Sequence, residues 1–208
     1  MVIVPELLAQ KTAALLSSAL TRTVNEPGAP GLRFPRLRSG ATRVSEQEAR
    51  VLMCQALESA GRTYSVEYPT SETFSFTGST PMSARTDLVV WGELGLSIAV
   101  EFKAGQPRQA DVDKDMEKLA VENVRALWFH TLESTNARTL PTLFRKLSLG
   151  VAHGAERLRA TNAAAADDHD LTVAVAVLHG KQIGLWLQTV TFSQGLNEDL
   201  SAWNTHTT

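Results

Sequence analysis

Between Arg85 and Gly105 the chain reads Arg-Thr-Asp-Leu-Val-Val-Trp-Gly-Glu-Leu-Gly-Leu-Ser-Ile-Ala-Val-Glu-Phe-Lys-Ala-Gly, two apolar strand patterns joined by a glycine-flanked turn. Asp87, Glu101 and Lys103 stand where a buried strand would carry Val or Ile. Charges in such positions are costly to desolvate unless something compensates them. A bound divalent cation would do so, and this requirement constrains the rest of the chain.

Residues two apart in a strand share a face, so Glu101 and Lys103 point the same way as Ala99 and Ser97, while Ile98, Val100 and Phe102 point into apolar packing. Asp87 joins the charged face if the hairpin pairs it with Glu101, Val89 with Ala99 and Trp91 with Ser97. That register calls for an odd loop, such as Glu93-Leu94-Gly95 with Gly95 at positive φ. Two carboxylates then lie about 5 Å apart at their Cβ atoms. Hard oxygen donors of this kind suit Mg²⁺ or Mn²⁺, and the Phe102 carbonyl between the two side chains is a further candidate ligand. Metal-bound water can attack phosphorus while the cation and Lys103 stabilise charge or orient the nucleophile.

The flanking sequence supplies helices and further strands. Pro5 can open a helix running to about Thr21, with Leu8, Leu15, Leu16 and Leu20 on one face. The segment 25–31 breaks regular structure with Pro and Gly, and an arginine-bearing arm follows. Ser45 and Glu48 form a Ser-x-x-Glu capping box at the head of a helix to Glu58. Strands are predicted over Thr63–Tyr68, ended by Pro69, then briefly around Phe74 and Phe76, Thr86–Trp91 and Leu96–Ala104. Pro107 opens another helix, Arg125–Leu132 is a strand, and a long amphipathic helix starts near Leu140. After an acidic Ala-rich loop, Leu171–Leu178 and Ile183–Thr191 complete the strands. The order predicts an α/β layer arrangement with a mixed sheet. Residues 1–44 read as an N-terminal helix and arm, 45–192 as the core domain, and 193–208 as a polar, loosely held tail.

Asp87, the fourteen-position step to Glu101 and the triplet Glu101-Phe102-Lys103 resemble the signature of the PD-(D/E)xK nuclease superfamily. The resemblance covers roughly residues 45–132, and Thr86 stands where the pattern has proline. It implies a restriction-endonuclease-like fold, an αβββαβ core of mixed sheet flanked by helices. By the same resemblance Asp87 and Glu101 would be metal ligands and Lys103 the catalytic lysine. The helix carboxylate of the site maps to Glu48, or else Glu46, although a capping box alone accounts for Glu48. Gln109, near the start of the following helix, maps to a polar residue that touches the site or the DNA.

The implied function is a Mg²⁺- or Mn²⁺-dependent endonuclease acting on DNA, in restriction, phage defence or repair. A nuclease-like nucleic-acid-binding or assembly module that does not cleave is the alternative, and an RNA-cleaving enzyme or toxin the second. The net charge of −2 is not that of a strongly basic nucleic-acid binder. Phosphate contacts would therefore fall to local clusters, first Arg33, Arg36, Arg38 and Arg43, then Arg145, Lys146, Arg157 and Arg159.

Other chemistry finds little support. The single cysteine, Cys54, excludes an intrachain disulfide framework and a Cys-based metal cluster. There is no P-loop and no dinucleotide fingerprint. No apolar run reaches the ~20 residues of a membrane helix, and the N-terminus lacks a signal-peptide pattern, so a cytoplasmic protein without a membrane partner is expected. The N-terminal helix is a candidate surface for homodimerisation or, equally, a cap on the core. His130, His153 and the acidic stretch Asp167, Asp168, His169, Asp170 read as packing or solvated surface.

Overall fold

The computed structural model describes residues 4–25, 30–35, 38, 42–74, 82–93, 95–122, 124–133, 136, 138–161, 169–179 and 182–207. The elements follow as α1 (Pro5–Asn25), α2 (Glu46–Ser59), β1 (Tyr64–Phe74), β2 (Met82–Gly92), β3 (Gly95–Ala104), α3 (Gln109–Val121), β4 (Arg125–Glu133), α4 (Thr139–Thr161), β5 (Asp170–His179), β6 (Gln182–Thr191) and β7 (Asn204–Thr207). One sheet holds the seven strands in sequence order. Pairing is antiparallel through β1, β2 and β3, parallel through β3, β4 and β5, and antiparallel again through β5, β6 and β7. A parallel pair needs a long crossover, and α3 and α4 supply the two. This is the α/β arrangement with a mixed sheet that the sequence predicts.

Alternation along the central strands divides the core. Ile98, Val100 and Phe102 pack on one face with Leu16 and Leu20 of α1 and Leu52 and Leu57 of α2. Ala99 faces the other way, into a cluster with Val112, Met116 and Leu119 of α3 and Leu147 and Val151 of α4. The first helix is thus a layer of the core and not an appendage, and its apolar face is spent on its own chain. The tail is also better held than its polarity predicts. Trp203 is buried and stacks on Phe144 with centroids 4.3 Å apart, and β7 pairs with β6. A four-residue polar strand is too short to show a period.

Ser45 caps α2 by accepting from Gln47 N–H, and the Glu48 carboxylate returns to the Ser45 backbone N–H at 2.8 Å. Pro69 lies within β1 and does not end it. β1 is the edge strand, where a missing N–H costs no ladder bond, and its register is irregular between Pro69 and Thr73. In the β2–β3 hairpin Val89 pairs with Ala99 as expected. A shift after Val90 then sets Trp91 opposite Leu96, not Ser97, and Gly92 opposite Gly95. Gly95 has φ +119°, a conformation open to glycine. α3 begins at Gln109, with Arg108 as its N-cap, two residues after Pro107.

Close packing of α4 on α3 relies on Gly154. A Cβ there would meet the Met116 backbone oxygen at 3.0 Å and the Phe192 ring at 2.8 Å. The predicted strand at Phe76 and most of the acidic loop lie outside the described residues.

Candidate functional site

β2 and β3 part company where the charged residues begin. Their ladder is paired up to Leu88 and Val100, whereas β3 stays paired with β4 through Ala104 and Thr131. Thr86 and Arg85 of β2 remain with β1, opposite Tyr68 and Pro69. The result is a fork whose two arms are β2 and the last third of β3. Phe102 N–H, which has lost a strand partner, donates to Asp87 Oδ2 at 2.8 Å. The N–H and C=O of one strand residue point to the same edge, so the Phe102 carbonyl also faces the fork.

α3 fills the fork with two residues that sequence reasoning missed. Lys118 Nζ contacts Glu101 Oε1 at 2.6 Å, Asp115 Oδ1 at 2.9 Å and the Arg85 carbonyl at 3.1 Å. Asp115 uses its other oxygen for Lys103 Nζ, 2.7 Å away. A signal for both was present: they lie three residues apart beside Val112, Met116 and Leu119, on the buried side of the helix. Glu101 is 1% exposed, and its Oε2 has no hydrogen-bond partner among the described residues.

The electrostatics follow from this crowding. Burial pushes the Glu101 carboxyl well above the usual range; Lys118 opposes this, and Asp115 and Asp87 reinforce it. Burial works against the Lys118 charge, but Glu101 and Asp115 outweigh it and hold the ammonium above its ordinary value. Lys103 is likewise raised, with Asp115 prevailing over partial burial. Both lysines are therefore ammonium ions at neutral pH. Glu46 also belongs to the cluster: burial raises its pKa, and Lys103, Asp87 and Asp115 all act on it. Four carboxyl groups, Glu46, Asp87, Glu101 and Asp115, thus face two lysines, Lys103 and Lys118, and burial favours the neutral form of Glu101 and Glu46.

Asp87, Glu101 and Lys103 are thus brought together, but the helix carboxylate beside them is Glu46 and not Glu48. Glu48 is committed to the capping box, which turns it back toward Ser45. Gln109 does not face the fork; its amide donates to Asp113 at 2.7 Å and to the Lys146 carbonyl at 3.0 Å, tying α3 to α4. Arg33, Arg38 and Arg43 are exposed, and Arg36 lies outside the described residues. Arg43 lines a cavity of about 360 Å³ with Ser45, Ala104, Gly105 and Glu133.

In the second cluster Lys146 Nζ donates to the Pro107 carbonyl and Arg157 pairs with Glu72. His130 is fully buried, with Nε2 2.8 Å from the Gly105 carbonyl, and burial lowers its pKa to about 4. His153 pairs with Glu117 at 2.7 Å, and His169 is buried edge-on to Phe192. Asp167 and Asp168 lie outside the described residues.

A divalent cation suits this donor set in chemistry, since its oxygens are carboxylate oxygens and one of them, Glu101 Oε2, is buried without a partner among the described residues. As the side chains stand, no group of three or more His, Cys, Asp or Glu among the described residues converges to hold an ion. The carboxylates are turned instead onto lysines and backbone N–H groups. Models of known protein families give no match to this chain, and neither do curated proteins. No helix among the described residues is long and apolar enough to cross a membrane.

Proposed function

We propose that the chain is a Mg²⁺- or Mn²⁺-dependent nuclease of the PD-(D/E)xK type, hydrolysing phosphodiester bonds in DNA. The observation that carries this reading is that Asp87, Glu101 and Lys103 meet at the fork, where one Glu101 oxygen is buried without a partner among the described residues. Asp87, Glu101 and Glu46, with the Phe102 carbonyl, would hold the cation. Once bound, the cation supplies Lewis-acid activation of water and charge stabilisation at the phosphate.

The chain's own groups define the rest. Lys103 is the more open of the two lysines, its side chain 20% exposed against 6% for Lys118, so it is the one that can meet a substrate phosphate. Held as an ammonium by Asp115, it donates a hydrogen bond to a non-bridging phosphate oxygen or orients the water; it does not serve as the base. Water adds to phosphorus, the P–O bond to the leaving sugar oxygen breaks, and a phosphomonoester and an alcohol result. Arg43, exposed in the cavity that Ala104 and Gly105 also line, would contact the backbone of the bound strand.

The test is cleavage of single-stranded, double-stranded and branched DNA and of RNA, with and without Mg²⁺ or Mn²⁺. Asp87→Asn should lower metal-dependent cleavage about 10²- to 10³-fold, in the range seen when one transition-state-stabilising group is lost. Full activity in that variant would sink the reading.

One observation favours a second reading, a nucleic-acid-binding or assembly module that does not cleave. Lys118 pairs with Glu101 at 2.6 Å and occupies the oxygen that an ion would otherwise share. Absence of Mn²⁺ binding together with retained DNA binding would establish it.

A further inference from the structure

Strain lies on the side of Asp87 away from the fork. Among the described residues Glu67 of β1 is the only non-glycine at positive φ, +52°, a conformation costly for a residue that carries a Cβ. It stands opposite Asp87. β1 pairs Val66 with Leu88 and Tyr68 with Thr86, yet Glu67 and Asp87 between them do not pair. The ladder to β3 has already ended at Leu88 and Val100. Asp87 is therefore the point at which both neighbouring strands release β2.

Two arginines hold Glu67 in this state. Its carboxylate meets Arg50 Nη1 of α2 at 2.6 Å, and its carbonyl accepts from Arg85 Nη1 of β2 at 3.2 Å. Arg50 lies one turn after Glu46, and the Arg85 carbonyl in turn accepts from Lys118 Nζ at 3.1 Å. The strained residue thus ties β1 to the two elements that carry Glu46 and Asp87. Glutamate has no bias of its own toward positive φ, so these contacts are what keep it there. A left-handed residue bends its strand and re-aims side chains nearby, as a bulge does. We infer that Glu67 is a positioning residue: its left-handed backbone, clasped by Arg50 and Arg85, breaks the β1–β2 ladder at Asp87 and lets the Asp87 carboxylate cross the fork to Phe102 N–H, 2.8 Å away. The inference rests on the nuclease reading for its effect on cleavage and on geometry alone for the placing of Asp87.

Glu67→Ala and Glu67→Gly both remove the carboxylate and differ in whether the backbone tolerates positive φ without the clasp. Two properties are measured: hydrogen exchange of the Phe102 amide by NMR, without metal or substrate, and kcat and KM for cleavage per folded molecule. Glu67→Ala should speed exchange of that amide about tenfold or more, as on loss of a hydrogen bond to a carboxylate. It should also lower kcat about 10- to 100-fold with KM little changed, the mark of a misplaced group. Glu67→Gly should match the wild type in both. Arg50→Ala should reproduce the losses of Glu67→Ala, and adding Glu67→Gly to it should restore them. A Glu67→Ala protein equal to the wild type in either property, or a Glu67→Gly protein that loses as much, would overturn the inference and leave the nuclease reading standing. A wild type that cleaves no nucleic acid removes that reading instead, and Phe102 exchange then decides the placing of Asp87 by itself. Should Glu67→Ala fail to fold, Arg50→Ala and its double variant with Glu67→Gly decide: rescue supports the assignment, and no rescue overturns it.

Discussion

The two halves of β3 differ in what lies at their β2 edge. From Ile98 to Val100 the strand is paired on both sides, its side chains are fully buried, and every backbone group has a strand partner. From Glu101 to Ala104 it is paired only with β4, and Asp87, Lys118 and Glu46 come in where β2 has left. The first half shows what a seven-stranded sheet requires, and the second what it can spare. Charge collects where the ladder has opened, because there the freed backbone groups and the carboxylates can satisfy one another.

Substitutions in the two halves should separate activity from stability. Asp87→Asn keeps an acceptor for Phe102 N–H, so its loss of cleavage should come with a change in unfolding free energy of less than about 1 kcal/mol. Ile98→Ala, in the closed half, should do the reverse. Removing that buried side chain costs about 2–5 kcal/mol by urea unfolding, with cleavage per folded molecule unchanged. Equal losses of both properties in both variants would erase the distinction between the halves.

His130 stands opposite Lys103 on β4, at the boundary of the open half. Its folded pKa lies near 4, below the ordinary 6.5, so the folded state binds fewer protons than the unfolded one between those values. Its contribution is complete above pH 6.5 and is lost as the pH falls through 4. The linked loss is about 3 kcal/mol over that window. Urea unfolding at a series of pH values should show this slope, and His130→Asn should flatten it. An unchanged slope in the variant would assign the acid sensitivity elsewhere.

Gly154→Ala tests whether α3 must be held close for the fork to form. The added methyl group should cost about 1–3 kcal/mol and, by shifting α3 with Asp115 and Lys118, lower cleavage as well. The smallest effect separates the two carboxylates of α2. Glu48→Ala should lose about 1 kcal/mol of capping with cleavage intact, while Glu46→Gln should lower metal-dependent cleavage and leave stability nearly unchanged. The opposite pattern would return Glu48 to the site.

Most of this fold is legible in the sequence because the central strands carry a strong period. Leu171–Leu178, the alternation around Val100 and the Ser45 capping box each point to one local structure. What escaped notice is tertiary. β7 is too short and polar to announce itself. The burial of α1 depends on strands far along the chain. The missed half of the candidate site, Asp115 and Lys118, looks like an ordinary helix surface until α3 is laid across the fork. Sequence reasoning ranked Glu48 ahead of Glu46 and was misled, because the capping box claims Glu48 and leaves Glu46 to the cluster.

The position of α1 also fixes an order of events during synthesis. Glu6 of α1 accepts a hydrogen bond from Thr189 of β6, and Gln10 meets His206 of β7 at 3.3 Å. α1 is made before β5 and β6, on which it packs, and is covered only once they have been added. Until then Leu8, Leu16 and Leu20 lack part of their cover, and the nascent chain carries an apolar stripe.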